Sequence, residues 1–587
     1  MTIADVFSEF DVLDKKGFEA HDIIGALSAV EEKEKKEPEY GYEYLAFFLV
    51  PNSENNSNWG TFYGPHSIFT DADNNIIESP ALSDITIDAV LYWEQRYKTT
   101  RNPLLTMRYC SLVWDFKSRL FHQKNESDLY RTYVDSMLKV CNEDYARHPV
   151  ITILILERLF SIAKNQKDDL QIIKKAYIDF ETRHSNDRSA RIWSSRFSLM
   201  VENQGYFTEE EITKLVDEHE QRLSRMCNPP DGKVNPWNVE HQATLLARYY
   251  HSINHINDIK RVLHCVENAF LQIADSLSSL QLMGNLENLH KEYKHYSLHE
   301  EAKKLTVEIQ RLGAAVKQEL KPIQTKITIP REILDHIEES VGESVDSADE
   351  RWTSFVFSFI PDIQQLQDEL CNLSKKHALS FLIPRRHLDH NGHPTTVIGP
   401  YSKDPEGQLI HHYSTILHYT DPFLNYAIEK MKSIGAMTVE KIMTERISLC
   451  PIFEEERYDV IREALDLYFE GKYTLTCHLL VPQIECAIRN LMELCGVPIL
   501  ALQSEKQGLG FQLRTLNSFL KEDIIKEIFS ENGALYLKYI LTEPRALNIR
   551  NDLCHGFLPP QCFGKAIANR LLHVLIMLSM VRNQEKE

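Results

Sequence analysis

Paired cysteines and long hydrophobic runs are scarce in this sequence. The 11 cysteines are scattered, and none of them lies in a CxxC pair. Such a distribution argues against a disulfide framework and is typical of buried thiols in a reducing compartment. The best apolar stretch, residues 571–581, contains His573 and Ser579 and has about half the length of a membrane-spanning helix. The first residues also lack the basic and apolar regions of a secretory signal. We therefore expect a cytoplasmic protein without a membrane segment.

Several motifs of common enzymes are also missing. The sequence has no GxxxxGK[ST] loop, which argues against a P-loop nucleotide site. It has neither an HExxH nor a GxSxG motif, which argues against zinc peptidase and α/β-hydrolase chemistry. Histidine pairs at i, i+4 occur at His251 and His255 and at His295 and His299, but no cysteine or carboxylate completes a tetrahedral set. We interpret these pairs as solvated or packed helix faces, and we predict neither a metal nor a cofactor.

Negative charge is abundant and unevenly distributed. The chain has 65 Lys and Arg against 85 Asp and Glu, a net charge of −20. A chain this acidic is unsuited to binding nucleic acid through its overall field. Residues 451–587 include 15 basic and 18 acidic residues, so this block has a net charge of −3 and the other 450 residues have a net charge of −17. The C-terminal block therefore repels RNA least, and it suits a cleft for a few nucleotides or a structured RNA such as tRNA.

Helical periodicity runs through most of the chain. Leu105, Tyr109, Leu112, Val113 and Phe116 recur at intervals that place them on one face of a helix. Similar patterns follow one another without a fixed repeat length. The sequence therefore predicts an all-α fold whose N-terminal part is an irregular stack of helical hairpins, an architecture that commonly presents a surface to protein partners.

Three regions are expected from 587 residues with these patterns. Residues 1–340 form the helical-hairpin stack and would serve recognition or regulation. The acidic, small-residue-rich segment 342–350 is the expected boundary. Residues 351–450 form a middle segment, and residues 451–587 form a C-terminal helical bundle.

A small β-hairpin is expected within the middle segment. Asn391-Gly392 is a strong hairpin-turn signal, and the apolar residues 378–383 and 395–398 flank it. We predict these two flanking runs as the paired strands.

The C-terminal block contains the most informative segment, which reads Arg550-Asn551 followed by three residues and His555. On a helix, Asn551 and His555 are i, i+4 neighbours on one face. Gly556 is a natural helix terminator, and the prolines at 559–560 prevent continuation. His555 is therefore expected in the last turn of its helix.

This segment resembles the RNxxxH motif of HEPN ribonucleases, a superfamily of small helical bundles. The helix expected at 477–495 adds to the resemblance, because it has a polar stripe of His478, Glu485 and Arg489 beside an apolar face. The combination is similar to one HEPN-like family that includes uncharacterised bacterial proteins and endoplasmic-reticulum membrane-associated RNA degradation proteins. The resemblance covers residues 451–587 well and residues 351–450 loosely, and it implies that the three stripe residues support the motif.

The resemblance implies a metal-independent endoribonuclease, regulated and of a defence or toxin type. Cleavage of RNA through its own 2′-hydroxyl needs a base, an acid and a cation for the extra phosphate charge. Histidine suits proton transfer near neutral pH, and arginine offers a charged fork of donors. We assign His555 as acid/base, Arg550 as phosphate clamp and Asn551 as its support.

Two other interpretations of the motif stay open. Arg550 would have a structural role if it pairs with Asp552 or Glu485, and His555 would then cap its own helix. In that case the bundle would be a non-catalytic RNA-binding or protein-interaction scaffold that retains the HEPN fold.

One motif supplies one histidine, although the reaction needs both a base and an acid. The resemblance therefore implies a homodimer through the C-terminal domain, in which a two-fold axis brings two copies of His555 together. The contact is expected on the apolar side bearing Ile549 and Leu553, with help from the helix at 477–495. If these side chains instead fill the domain's own core, His478 is the candidate for the second proton carrier.

Overall fold

The structure is a computed structural model that describes residues 1–51, 58–70, 76–121, 126–187, 189–321, 330–502 and 510–583. It is mostly helical, with 70% helix and 5% strand, so the predicted all-α class is confirmed. The chain divides into two compact units, Met1–Thr306 and Val307–Glu587. No helix in the described ranges is long and apolar enough to cross a membrane.

The first unit is a succession of helices with two short two-stranded sheets. Its strands, paired β1 with β2 and β3 with β4, are β1 Val50–Pro51, β2 Tyr63–Gly64, β3 Ser67–Thr70 and β4 Ile76–Ser79. The helices that begin in this unit are α1 Ile3–Phe10, α2 Ala20–Ser28, α3 Pro38–Phe48, α4 Ile87–Thr99, α5 Pro103–Phe121, α6 Ser127–Asn142, α7 Pro149–Ala163, α8 Lys167–His184, α9 Ala190–Glu202, α10 Glu209–Cys227, α11 Pro236–Ser252, α12 Ile256–Gln272, α13 Ser279–His295 and α14 His299–Glu319.

Neighbouring helices of the first unit pack side by side along the chain. The pairs α4–α5, α5–α6, α7–α8 and α11–α12 are in contact, and the pairs α6–α8, α7–α9 and α9–α11 join each hairpin to the next. The apolar face predicted for α5 is buried, because Leu105, Tyr109, Leu112, Val113 and Phe116 all have no exposed surface. The predicted stack of helical hairpins is therefore present.

The second unit combines a helical bundle with two β-hairpins, β5 Arg385–Leu388 with β6 Pro394–Ile398 and β7 Leu500–Leu502 with β8 Phe511–Leu513. A π-helical turn, Ile442–Ile447, follows α20. Its helices are α15 Arg331–Val341, α16 Ala348–Phe357, α17 Ile363–Lys376, α18 Ala378–Leu382, α19 Pro405–Ser433, α20 Val439–Lys441, α21 Tyr458–Phe469, α22 Tyr473–Leu494, α23 Leu516–Phe519, α24 Asp523–Leu541, α25 Ile549–Cys554 and α26 Lys565–Leu578.

The predicted β-hairpin is present, but its first strand lies closer to the turn than expected. Residues 378–383 were predicted as a strand, whereas α18 occupies most of this run and the strand begins at Arg385. A short apolar run does not by itself distinguish a strand from a helix. The turn prediction was more specific, because Gly392 has φ +84°, a backbone conformation that favours glycine.

Residues from 351–450 and from 451–587 contribute to the same hydrophobic core. Helix α26 packs against α16, α19 and α22. Its side chains from Leu571 to Leu578 are 3% exposed or less, as expected for a helix surrounded by others. In the structure the middle segment thus completes the core around α26.

Arg570 and His573 of α26 are buried in this core and are hydrogen-bonded to neighbouring helices. Arg570 is 1% exposed and donates hydrogen bonds to the Leu417 carbonyl (2.6 Å), the Thr420 hydroxyl (2.6 Å) and the Asp421 carboxylate (2.8 Å), all on α19. The unexposed His573 accepts from the Tyr536 hydroxyl through Nδ1 (2.8 Å). Its Nε2–H donates to the Val356 carbonyl on α16 (3.0 Å).

Burial, together with the nearby Arg570 charge, lowers the pKa of His573 to about 3. We expect this histidine to make the second unit sensitive to acid. The unfolded chain takes up a proton near pH 6.5, but the folded protein does so only near pH 3, so stability falls as the pH drops between these values. The expected contribution is about 3 kcal/mol between pH 6.5 and 4.

Urea denaturation of full-length protein across this pH range measures the slope. His573→Gln should lower stability at pH 7 and flatten the slope, whereas His336→Gln, at an exposed position of α15, should leave the slope unchanged. An unaltered slope in His573→Gln would contradict the assignment.

Candidate functional site

The site residues predicted from the sequence lie on two elements of the second unit, α22 and α25. The predicted helix at 477–495 is present as α22, which begins one turn earlier, at Tyr473. Its apolar face is buried as expected, since Leu480, Ile484, Ile488 and Leu491 are 2% exposed or less. This face holds α22 against the core and leaves the polar stripe on the outside.

The motif helix α25 ends as the sequence predicts. His555 is the C-cap, and Gly556 follows with φ +65°. The Phe557 N–H donates to the Asp552 carbonyl (2.9 Å) and the Gly556 N–H to the Leu553 carbonyl (3.3 Å). These two bonds form a Schellman motif, which terminates a helix through a left-handed glycine. The chain therefore turns away directly after His555.

Arg550 forms a bidentate ion pair with Glu485 of α22. Its Nε and Nη2 donate to the two carboxylate oxygens at 2.9 and 3.3 Å, and its Nη1 donates to Asn551 Oδ1 at 3.1 Å. Hydrogen bonding to Glu485 raises the pKa of Arg550. Arg489 donates to the same carboxylate at 3.4 Å. The side chains of Glu485 and Arg550 are 15% and 24% exposed, so the pair lies at the edge of the core.

The structure thus brings four of the predicted site residues into one cluster: Arg550, Asn551, Glu485 and Arg489. Of the two partners considered for Arg550, Glu485 is the one it contacts, while Asp552 bonds elsewhere. Two guanidinium groups thus share the Glu485 carboxylate.

Asn548 holds this cluster from the other side, and it was not predicted from the sequence. Asn551 Nδ2 donates to Asn548 Oδ1 (2.7 Å), and Asn548 Nδ2 donates to Asp552 Oδ1 (2.9 Å). Asn548 has φ +48°, a left-handed conformation that asparagine tolerates better than most residues. The only signal in the sequence is an asparagine directly before the motif helix. Burial raises the pKa of Asp552.

His555 is exposed, and its backbone N–H donates to the Asn551 carbonyl at 3.0 Å. Its ring stacks on Phe557, with ring centroids 5.3 Å apart. Within the described part of the chain, its imidazole forms no hydrogen bond or ion pair. The imidazole is therefore free to meet a substrate, whereas the Asn551 amide is engaged by Arg550 and Asn548.

His478 is exposed on α22 and lies against the loop that follows the motif. Its Nδ1 donates to the Thr474 carbonyl (2.8 Å), and its ring meets Phe563 edge-on at 5.8 Å. Its Nε2 has no hydrogen-bond partner among the described residues. His478 thus presents one free ring nitrogen at the surface.

The apolar side of the motif helix belongs to the unit's own core. Ile549 is 2% exposed, and Leu553 packs against the same core from a half-buried position. Ile549 is therefore buried within its own chain, whereas Leu553 keeps part of its surface exposed. Cys554, His555 and Phe557 are exposed beside them.

No group of three or more His, Cys, Asp or Glu in the described ranges is arranged to hold a metal ion. No family model, curated protein or solved structure matches this chain. The resemblance to HEPN ribonucleases therefore stays a hypothesis that rests on the residues above.

We expect Glu485 to stabilise the motif helix by pairing with Arg550 and Arg489. Glu485→Gln keeps the size of the side chain but leaves two guanidinium groups without a charged partner. The free energy of unfolding should fall by about 1–2 kcal/mol. Urea denaturation measures this change.

The matched control is Glu493→Gln, which alters an exposed glutamate of the same helix and should stay within about 0.5 kcal/mol of the wild type. Equal stability of the two variants would contradict a structural role of the ion pair.

Proposed function

We propose that this protein is a metal-independent endoribonuclease that cleaves RNA by attack of the 2′-hydroxyl, with a regulated, defence- or toxin-type role. One observation carries the proposal. The short helix α25 and its cap carry two groups: the exposed imidazole of His555, which forms no hydrogen bond or ion pair among the described residues, and the Arg550 guanidinium, whose orientation is fixed by Glu485. These are the proton carrier and the cation that the reaction requires.

Arg550 retains donors for a phosphate although it is paired. An arginine side chain has five N–H groups, and the contacts with Glu485 and Asn551 use three of them. The two that remain would bind a phosphate oxygen. Arg489 adds a second positive charge at the same carboxylate, and the free donors of Arg550 would make the direct contact with an anionic ligand.

The reaction transfers two protons around one phosphorus atom. A base removes the 2′-hydroxyl proton, the 2′-oxygen bonds to phosphorus, the bond from phosphorus to the 5′-oxygen breaks, and an acid protonates that oxygen. The products are a 2′,3′-cyclic phosphate and a 5′-hydroxyl end. His555 takes one of these proton transfers, while Arg550 stabilises the charge that develops on the phosphate.

A second proton carrier is needed, and we propose that it is His555 of a second chain in a homodimer. The exposed residues His555 and Phe557 would then lie at the two-fold axis, because Ile549 is buried in the core of its own chain and cannot contact a second one. His478 is the alternative carrier within one chain, because its Nε2 is unengaged among the described residues.

The bidentate pairing of Arg550 with Glu485 favours a second candidate, a non-catalytic RNA-binding or protein-interaction scaffold. In that function the ion pair serves only to dock α25 on α22. Cleavage assays separate the two candidates.

Purified protein should cleave RNA in the presence of EDTA and leave 2′,3′-cyclic phosphate ends. His555→Ala and Arg550→Ala should each reduce the rate by about 10²–10⁴-fold, because each removes a group that acts in the transition state. End-group analysis of the products together with single-turnover rates measures both effects.

His336→Ala removes another exposed histidine and should cleave like the wild type. His555→Ala should also keep the wild-type melting temperature, because its imidazole makes no hydrogen bond within the described ranges. Activity that needs a metal, or that survives in His555→Ala, would rule out the mechanism.

An active site shared between two chains predicts a characteristic loss of activity when wild-type and variant chains are mixed. Light scattering should show a dimer. When wild-type protein is mixed with excess His555→Ala chains, activity should fall faster than the wild-type fraction, because mixed dimers lack one proton carrier.

If activity instead falls in proportion to the wild-type fraction, or if a strict monomer still cleaves RNA, the second proton carrier belongs to the same chain as His555. His478→Ala should then abolish cleavage.

A further inference from the structure

The first unit contains a cavity of about 530 Å³ that has no place in the proposed ribonuclease reaction. It lies between α8 and α10, with α7, α9 and the loop residue Phe207 contributing to its remaining walls. Along α8 it is lined by Lys174, Ile178 and Glu181, which are spaced by four and three residues and lie on one face of the helix. Its volume is within the range of sites for small organic ligands.

One part of the cavity is apolar. Phe160 and Phe207 stack with ring centroids 5.9 Å apart and planes inclined by 17°. Leu199 and Leu215 also line this part. Lys174 Nζ already lies 4.6 Å from the centre of the Phe207 ring, so this surface accommodates a cation against an aromatic face.

The other part of the cavity is built around carboxylates. Arg196 donates to Glu181 Oε2 at 2.6 Å and to Glu218 Oε2 at 3.0 Å. Glu181 is only 7% exposed, and its second oxygen, Oε1, is buried without a hydrogen-bond partner in the described part of the chain. A buried acceptor without a donor is costly, and a ligand donor would satisfy it.

Carboxylates outnumber cations among the residues that line the cavity. Four glutamates face three basic side chains. The groove continues along the surface of α10, where Glu209 and Asp217 add two more acidic groups and no further basic one. The net charge of −17 outside residues 451–587 has the same sign. A ligand with a positive charge therefore complements this surface.

We infer that this cavity binds an organic cation, in which a guanidinium or ammonium group lies next to an apolar portion. The charged group donates to Glu181 Oε1 beside Glu218, and the apolar portion packs on Phe160 and Phe207. The way Arg196 already bridges Glu181 and Glu218 illustrates that these carboxylates accept a guanidinium. The cation belongs either to a free small molecule or to an arginine or lysine side chain of a partner peptide.

Isothermal titration calorimetry with full-length protein tests the site with two pairs of probes. Phenylguanidine is compared with the neutral phenylurea, and the peptide acetyl-Leu-Arg-Phe-amide is compared with the same peptide carrying citrulline in place of arginine. Each neutral probe has nearly the shape of its charged partner. The charged probe should bind about tenfold or more tightly, because only it brings an ionised donor to Glu181.

Glu181→Gln should weaken binding of the charged probes by about tenfold or more. Glutamine has the size of a neutral glutamic acid, and burial already raises the pKa of Glu181 to about 7. The variant should therefore fold, and thermal unfolding verifies this. Asp179→Asn removes the same charge from an exposed position of α8 and should bind like the wild type.

Saturable binding of phenylguanidine supports a free small molecule as the source of the cation, and binding of the arginine peptide alone supports a partner protein. The proposal is overturned if neither charged probe binds up to about 10 mM, if the neutral probes bind equally well, or if Glu181→Gln binds like the wild type. None of these measurements involves RNA, so they are independent of the ribonuclease proposal.

Discussion

The buried guanidinium of Arg570 constrains the second unit. A charge this deeply buried destabilises a protein unless it is paired and hydrogen-bonded. Arg570 meets this condition only where α26 lies against the stretch Leu417–Asp421 of α19, which supplies a carboxylate, a hydroxyl and a carbonyl. The position of α26 is therefore defined by polar contacts as well as by packing. Since α22 packs on α26, the same constraint places the helix that carries Glu485.

Glu485 in turn organises the motif. Its carboxylate receives Arg550 from α25 and Arg489 from its own helix. A bidentate contact fixes the plane of the Arg550 guanidinium, and the Asn548–Asn551 contact holds the amide next to it. His555 stays outside this network. The arrangement combines a rigid cation with an imidazole that forms no hydrogen bond within the described ranges, which is what the proposed phosphate binding and proton transfer require of their respective groups.

Net charge differs between residues 451–587 and the rest of the chain, and the difference suits the two ligands that we propose, an RNA and an organic cation. Residues 451–587 are close to neutral, and their cluster of two arginines around one glutamate favours an anion. The cavity of the first unit lies in the strongly acidic part and contains a carboxylate oxygen that has no donor among the residues the structure describes. The proposed RNA site and the proposed organic-cation site have opposite electrostatic requirements, and they lie in separate units of the chain.

The sequence by itself determined the features that depend on local physics. Helical periodicity predicted the all-α class and the buried face of α5, Asn391-Gly392 predicted a hairpin turn, and Gly556 predicted the end of the motif helix. Each of these depends on residues within one or two turns of each other. The first strand of the hairpin was misplaced, because the apolar run 378–383 is compatible with either secondary structure and packing made it helical.

Tertiary structure alone decided which distant residues meet. Glu485 and Arg550 are 65 positions apart, and the sequence left Asp552 open as an equal partner. The burial of Ile549 and the Glu181 oxygen that has no partner among the described residues have no local signature either. The physical reason is that these contacts depend on how helices pack, and packing is set by the summed burial of many side chains together with the pairing of a few buried charges.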